Sequence, residues 1–355
     1  MSEARAATEA VAEATEAAAE ATGRTAFLTG ATGFIGSHLA ERLAAAGWRL
    51  RCLARPDSDT AHLRSLGAEL IAGDLDDGEA LARGLDGASL AYHLAAIYQF
   101  GPSAHADTLR RVNVQGTRNV LDALRAAGTP RAVYVSTTAA LGPVREGHGS
   151  EETRNDGPFR SDYERTKVEA HAMALAAQAD GLPLLIAAPA FVYGPGDRGP
   201  GGVFIDDILK RRLPGLPTRF AHFSFVHVDD VADGLFAMSE HGVPHGTYVL
   251  GGEFASLGEV ARLAAERGGV RLPFLRFPPF MVRLTGALLD PLSRLTGIRF
   301  PINEENAATT TGKLRWLHTY QRSERDLGYR PRSLADGLPE TVADARSRLA
   351  MDPAG

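Results

Sequence analysis

The stretch FLTGATGFIG, residues 27–36, passes from an apolar run into three spaced glycines, Gly30, Gly33 and Gly36. It continues as FIGSHLAERLAAAGW, in which apolar residues recur at i, i+3 and i+4, the period of an amphipathic helix. A strand that turns through glycines into a helix leaves backbone N–H groups at the helix start, where a pyrophosphate is held. Each glycine has its own task. Gly30 permits the sharp turn, Gly33 lets phosphate approach the backbone, and Gly36 lets the helix lie close to its strand. Thr32, Phe34 and Ile35 lie between them and belong to the same expected contact loop. A glycine turn that binds nothing has the same local spacing, but its place between strand and helix favours a dinucleotide.

Outward from this loop, short apolar runs alternate with longer helical stretches: TAFLT (25–29), RLRCLA (49–54), AELIAG (68–73), SLAYHLA (89–95), RAVYVS (131–136) and LPLLIAA (182–188). That alternation predicts α/β architecture with a doubly wound (Rossmann) parallel sheet and a smaller C-terminal substrate-binding cap. The expected division has residues 1–23 as a disordered or helical extension and 24–189 as the dinucleotide-binding domain. Residues 223–252 are expected to return to the sheet, 190–222 and 253–345 to form the cap, and 346–355 to be a tail.

The 355 residues, 44% of them hydrophobic, suffice for a large core. The net charge of −5 comes without any block of Lys and Arg to follow a nucleic-acid backbone or an acidic membrane. A single cysteine, Cys52, excludes an intrachain disulfide and a cysteine zinc cluster, which fits a reducing, cytoplasmic setting. Residues 1–23, rich in Ala, Glu and Thr, do not read as a signal peptide. No window is apolar for long enough to span a bilayer; the greasiest, 272–298, is broken by Arg276, Arg283, Asp290 and Arg294. That segment reads either as core of the cap or as a cover for an apolar ring system, with core the safer choice.

Three further features carry chemistry. The second strand ends LARPDS, with Arg55 at the tip where a NAD-binding unit would have an acid, so a 2′-phosphate and NADP(H) are favoured over NAD(H). In SDYERTKVEAHAMALAAQ (161–178), Tyr163 and Lys167 share a helix face, and an ammonium near a phenol lowers its pKa towards one that can exchange a proton at neutral pH. The run RAVYVSTTAALG brings Ser136, Thr137 and Thr138 to the carboxyl edge of the sheet, where a hydroxyl can hold a substrate oxygen.

Together the glycine loop, HLAA (93–96), NVQGTRNVLDA (113–123), YVSTTAALG, Tyr163-x-x-x-Lys167, AFVYGPGD (190–197) and FVHVDDVADG (225–234) resemble the extended short-chain dehydrogenase/reductases. The likeness runs from about Thr25 to DLGYRPRSLADGLPETV and is strongest to the dihydroflavonol reductase and 3β-hydroxysteroid dehydrogenase branch. It implies Thr137 as the substrate-oxygen binder, with Thr138 as the second candidate, Tyr163 as general acid/base, and Lys167 as the residue that lowers its pKa and binds the nicotinamide ribose. It further implies Asp74 and Leu75 at the adenine, Leu94, Ala95 and Ala96 on the path to the nicotinamide ribose, and Pro189 among the cofactor contacts. Arg55 keeps its 2′-phosphate role, and Asn113 is expected to order a water near Lys167. A homodimer is the family's usual assembly.

Two departures bear on substrate. Nucleotide-sugar epimerases of this superfamily carry an Arg where Phe223 stands, and commonly Arg-Pro where this chain has Ala188-Pro189. Both favour a less polar substrate. His227 has no partners at metal spacing and reads as structural, so no metal is expected. The reading is an NADP(H)-dependent ketoreductase or alcohol dehydrogenase acting on a fairly apolar polycyclic, polyketide-, steroid- or lipid-like molecule. Its rivals are an NAD-dependent sugar-nucleotide epimerase or dehydratase, and a non-catalytic dinucleotide sensor.

Overall fold

A computed structural model describes residues 24–98, 106–296, 302–311 and 313–351; the expected 1–23 extension and the end of the expected tail lie outside them. Six strands follow in the order anticipated: β1 (Thr25–Thr29), β2 (Arg49–Ala54), β3 (Glu69–Ala72), β4 (Leu90–His93), β5 (Ala132–Val135) and β6 (Leu184–Pro189). The later strands are β7 (Phe191–Tyr193), β8 (Leu216–Pro217), β9 (His222–His227), β10 (Thr247–Leu250), β11 (Glu253–Ser256), β12 (Arg276–Phe277) and β13 (Arg315–Trp316).

The main sheet is seven-stranded and parallel, in the order β10-β6-β5-β4-β1-β2-β3. Strand β1 is central, with Thr29 level with Leu53 on one side and His93 on the other, and the order reverses beside it. In open α/β sheets ligands bind outside the carboxyl ends of the strands at such a reversal. Both faces of the sheet are covered, so its strands are apolar at nearly every position. On one face Leu28, Tyr92 and Val133 pack with Leu39, Leu43, Val231, Leu235 and Met238. On the other, Phe27 and Tyr134 pack with Leu81, Leu85, Leu121, Leu124 and Ala174. Phe27 and Leu28 thus serve opposite faces, as the two-residue period of a strand requires.

Of the segment 223–252, only Thr247–Leu250 enters the main sheet; His222–His227 does not. The free edge of β6 is taken by β10, so β9 pairs instead with β7, β11 and β13 in a second, four-stranded sheet. Around it lies a third core, in which Phe223 stacks on Trp316 at 6.3 Å and Phe225 meets Phe191 at 4.9 Å. The last helix, Leu334–Met351, buries Leu338 and Val342 here and runs on without a break past residue 345. A third expectation changes as well. Most of the described part of 272–298 is not cap core: Leu272 packs against that core and Val282 is buried, but Phe274, Phe280, Leu284, Leu288 and Leu295 are exposed.

Candidate active site

The glycine loop is built for close approach. Gly30 has φ +77°, and a Cβ there would lie 2.6 Å from the Ala95 nitrogen, so the turn after β1 presses on the end of β4. A Cβ on Gly36 would lie 2.1 Å from the Gly30 oxygen, and one on Gly33 3.1 Å from it. The helix Phe34–Ala45 starts at Gly33 with no side-chain cap and no acid in its first turn. Its leading N–H groups are left for an anion. The residues therefore fit a dinucleotide pyrophosphate: a cradle that any side chain would fill, at the positive end of a helix. Thr32 is exposed at the loop's crest, while Phe34 and Ile35 are half-buried, Ile35 against the core.

The remaining expected cofactor residues ring the same sheet edge. Arg55 follows β2, is exposed, and its Nε lies 3.4 Å from the Asp57 carboxylate, also exposed. Such a pair is worth little, so the guanidinium can exchange Asp57 for a phosphate at small cost. Asp74 is exposed and accepts from the Asp76 N–H at 2.9 Å, while Leu75 is buried. The Leu75 oxygen accepts from the Asn119 amide at 2.9 Å, and a Cβ on Gly116 would strike the Leu75 side chain at 2.5 Å. Asn119 and Gly116, neither singled out from sequence, thus hold that loop in place. Pro189 is buried at the end of β6, in register with Leu250.

Beneath Leu94, Ala95 and Ala96 runs a buried chain of hydrogen bonds. Thr117 Oγ1 donates to the Asn113 carbonyl at 2.8 Å, so it accepts from His93 Nε2–H at 3.0 Å, and His93 Nδ1 accepts from Thr29 Oγ1 at 2.7 Å. This assigns one neutral tautomer, consistent with burial, and secondarily Lys167, driving the His93 pKa down to about 3. Asn113 lies in a six-residue π-helical stretch, Arg111–Gly116. Its carboxamide accepts from the Ile97 N–H at 2.8 Å and donates to the Ile97 oxygen and to Thr166 Oγ1, at 3.1 and 3.2 Å. The carboxamide clamps the strand-end loop to the Tyr163 helix, which is a positioning role; its contacts are with Ile97 and Thr166, not at Lys167.

Tyr163 and Lys167 stand in the helix Asp162–Ala179, which Ser161 starts by accepting from the Glu164 N–H at 3.0 Å. Glu164, buried, takes the Asn155 amide at 2.8 Å and Arg160 at 3.1 Å, which fastens the preceding loop to that first turn. The Tyr163 side chain is buried, with the Thr137 hydroxyl beside its phenol. Burial, the larger influence, pushes the phenol up to about 12, and the Thr137 hydroxyl pulls it back down. Thr137 is itself held by accepting from the Ala139 N–H at 3.2 Å. Ser136 is engaged elsewhere, 2.9 Å from His171 Nδ1. Thr138 is buried in the short helix Thr138–Leu141.

Lys167 is buried, its ammonium donating to the Val135 carbonyl at 3.1 Å and to the Tyr134 hydroxyl at 3.3 Å, 5.0 Å from that ring's centre. Burial brings it down to about 7. Tyr98 meets Tyr163 edge-on at 4.9 Å; it closely follows HLAA in the sequence, but no spacing marked it.

Away from this edge, His227 Nε2 lies 3.0 Å from Glu340 and its Nδ1 3.5 Å from Asp229. His227 therefore does have carboxylates at the spacing of metal ligands, contrary to the reading from sequence, because the last helix brings Glu340 to it; the Arg332 guanidinium is 2.9 Å from the same Glu340 and 3.0 Å from Asp230.

The family model described as the NAD dependent epimerase/dehydratase family matches residues 26–251. The chain is 31% identical to the sterol demethylase protein B of Methylococcus capsulatus, over 88% of this chain and 96% of that protein. It is 29% identical to the 3 beta-hydroxysteroid dehydrogenase/Delta 5→4-isomerase of Mycobacterium tuberculosis, over 87% and 88%. Among solved structures, the dTDP-glucose 4,6-dehydratase DesIV of Streptomyces venezuelae, with NAD bound, superimposes with a TM-score of 0.75 at 25% identity, over 92% of this chain and 98% of that one.

Proposed function

The chain belongs to the NAD-dependent epimerase/dehydratase family, and on that premise we propose that it is an NADP(H)-dependent oxidoreductase interconverting a ketone and a secondary alcohol on a fairly apolar molecule. The observation that carries the reading is the buried Tyr163 phenol with the Thr137 hydroxyl beside it, at the sheet edge that also bears the glycine loop. When bound there, the nicotinamide dinucleotide supplies or takes up hydride.

The protein's own part is proton handling and placement. The Thr137 hydroxyl holds the substrate oxygen and Tyr163 Oη delivers its proton to that oxygen or removes it. Lys167, below the same helix turn, stabilises the phenolate when charged. Asn113 keeps Leu94–Ile97 against the catalytic helix, so the wall of the site does not drift. Arg55 is the proposed partner of the 2′-phosphate, and Asp74, Leu75, Ala95 and Ala96 the proposed walls for the rest of the cofactor.

An apolar substrate is supported by Phe223, which sits in the aromatic cluster where nucleotide-sugar enzymes place an Arg, and by relatives whose names specify sterols and hydroxysteroids. A second reading, an NAD-dependent sugar-nucleotide dehydratase or epimerase, is favoured by the NAD in the DesIV structure. One experiment separates them. A panel of steroid-like, polyketide-like and nucleotide-sugar substrates is assayed with NADPH and with NADH. NADPH consumption with apolar ketones is the expected result; turnover of a nucleotide sugar with NAD and none of the ketones would replace this proposal by the second.

A further inference from the structure

The helix Pro279–Thr296 turns its large side chains outward. Phe280, Met281, Leu284, Leu288, Leu292 and Leu295 are exposed, Leu288 by 68% and Leu295 by 85%. At 3.6 residues per turn they fall within roughly one third of the circumference. Just ahead of the helix in the chain, Phe274, 88% exposed, and Leu275 are exposed as well. The opposite side is the packed one: Val282 is buried, and a Cβ on Gly286 would come within 2.6 Å of the Asn303 backbone. A continuous apolar face of this kind marks an interaction site.

Its margin is cationic. Arg271, Arg276 and Arg283 are exposed and, among the described residues, have no acidic partner. Pairing of β8 with β12 sets Leu216 level with Arg276, and the exposed Arg219 follows two residues after β8. The chain as a whole carries −5, so this patch opposes the protein's overall sign. Along the sequence Arg271, Arg276 and Arg283 are spaced among apolar residues rather than set in a block, and the linear charge pattern gives no sign of an acidic membrane.

We infer that the helix Pro279–Thr296 docks in the plane of an anionic lipid surface, its apolar arc at the acyl boundary and its flanking arginines among the phosphates. Among the described residues no helix is long and apolar enough to cross a membrane, so docking is to one leaflet. A second copy of this chain fits less well, because a twofold contact would bring together two faces with the same arginine margin. The docking face is also connected to the candidate active site. Helix Glu304–Thr310 follows Asn303, and its Glu305 accepts from the N–H of Asp162, next to Tyr163, at 3.3 Å.

Lipid binding is measurable without turnover, so the inference stands or falls apart from the proposed function. The purified full chain is sedimented with phosphatidylcholine vesicles and with vesicles containing about equal phosphatidylglycerol, at low and high salt. Binding is expected only with phosphatidylglycerol and is expected to fall with salt. It should weaken about tenfold or more in Leu284→Ser/Leu288→Ser, and similarly in Arg276→Gln/Arg283→Gln, with thermal unfolding unchanged. Phe274→Ser, outside the helix, replaces the leucine pair if that variant does not fold. Equal binding to both vesicle types, no binding, or wild-type binding by the leucine variant overturns the inference. So does a dimer that the leucine substitutions dissociate in the absence of any vesicle binding, which would make this face a contact between copies.

Discussion

Thr137, just past the carboxyl end of β5, sets its hydroxyl beside the phenol of Tyr163, in the first turn of the helix Asp162–Ala179. This contact singles out one hydroxyl of three: Ser136 is engaged with His171, and Thr138 is buried within its own short helix. Thr137→Val is expected to lower kcat by about tenfold to a hundredfold and to move the basic limb of the pH profile upward, because it removes the group that lowers the phenol's pKa. Thr138→Val should do much less. Equal losses in steady-state kinetics would move the oxygen-binding role away from Thr137.

Tyr163→Phe should keep nucleotide binding and lose about 10² to 10⁴ of the turnover, since it deletes only the proton carrier. Fluorescence titration with NADPH alongside single-turnover reduction reads both quantities. Full turnover in this variant would exclude the tyrosine mechanism.

Lys167 stands near pKa 7 because its ammonium is buried. Above that pH it is largely neutral in the free protein, and a polyanionic dinucleotide bound nearby favours its charged form. Nucleotide binding at about pH 8 should therefore take up close to one proton, and the uptake should vanish in Lys167→Met. Calorimetry in buffers of different ionisation enthalpy measures it.

Arg55 is expected to discriminate between cofactors. Replacing it by Ala removes a charge-assisted contact to a 2′-phosphate and should weaken NADPH by about tenfold to a hundredfold, leaving NADH unchanged. If the two cofactors bind wild-type protein alike and both ignore Arg55→Ala, the preference for NADP(H) is withdrawn.

Gly36→Ala places a Cβ 2.1 Å from the Gly30 oxygen, where backbone must move. Loss of nucleotide binding together with about 2 kcal/mol or more of stability is expected. Gly78→Ala, where a Cβ meets nothing within 4 Å and the helix is regular, should be neutral or slightly stabilising. Urea unfolding distinguishes a packing role for Gly36 from a general intolerance of alanine.

His93 is neutral in the folded protein, with a pKa of about 3 against 6.5 when unfolded. Between those values the unfolded chain holds a proton that the native chain does not. Its contribution to stability is thus intact above pH 6.5 and declines as pH falls, by about 1.4 kcal/mol per pH unit. His93→Gln, which can retain a donor and an acceptor, should remove that share of the slope in unfolding experiments across this range.

How much could be read in advance differs by element. The six strands and the glycine loop were legible because strand and helix periods and glycine spacing are local properties of the chain. Tyr163 and Lys167 were legible for the same reason, being one helical turn apart. The roles of Asn113, Asn119 and Glu164 were not, since each acts on backbone or side chains brought near only by folding. The strand His222–His227 looked like an ordinary return to the main sheet, and only the pairing of β10 with β6 decides that it goes elsewhere.

The sequence alone therefore determined the doubly wound class, the glycine turn between strand and helix, and the placing of Tyr163 and Lys167 one helical turn apart, all of which depend on neighbours within a few residues. Tertiary structure decided which of three adjacent hydroxyls meets Tyr163, and that the apolar segment after Leu272 faces outward with arginines at its margin. Those outcomes depend on which surfaces other elements have already covered, and composition and periodicity describe a segment without saying what will cover it.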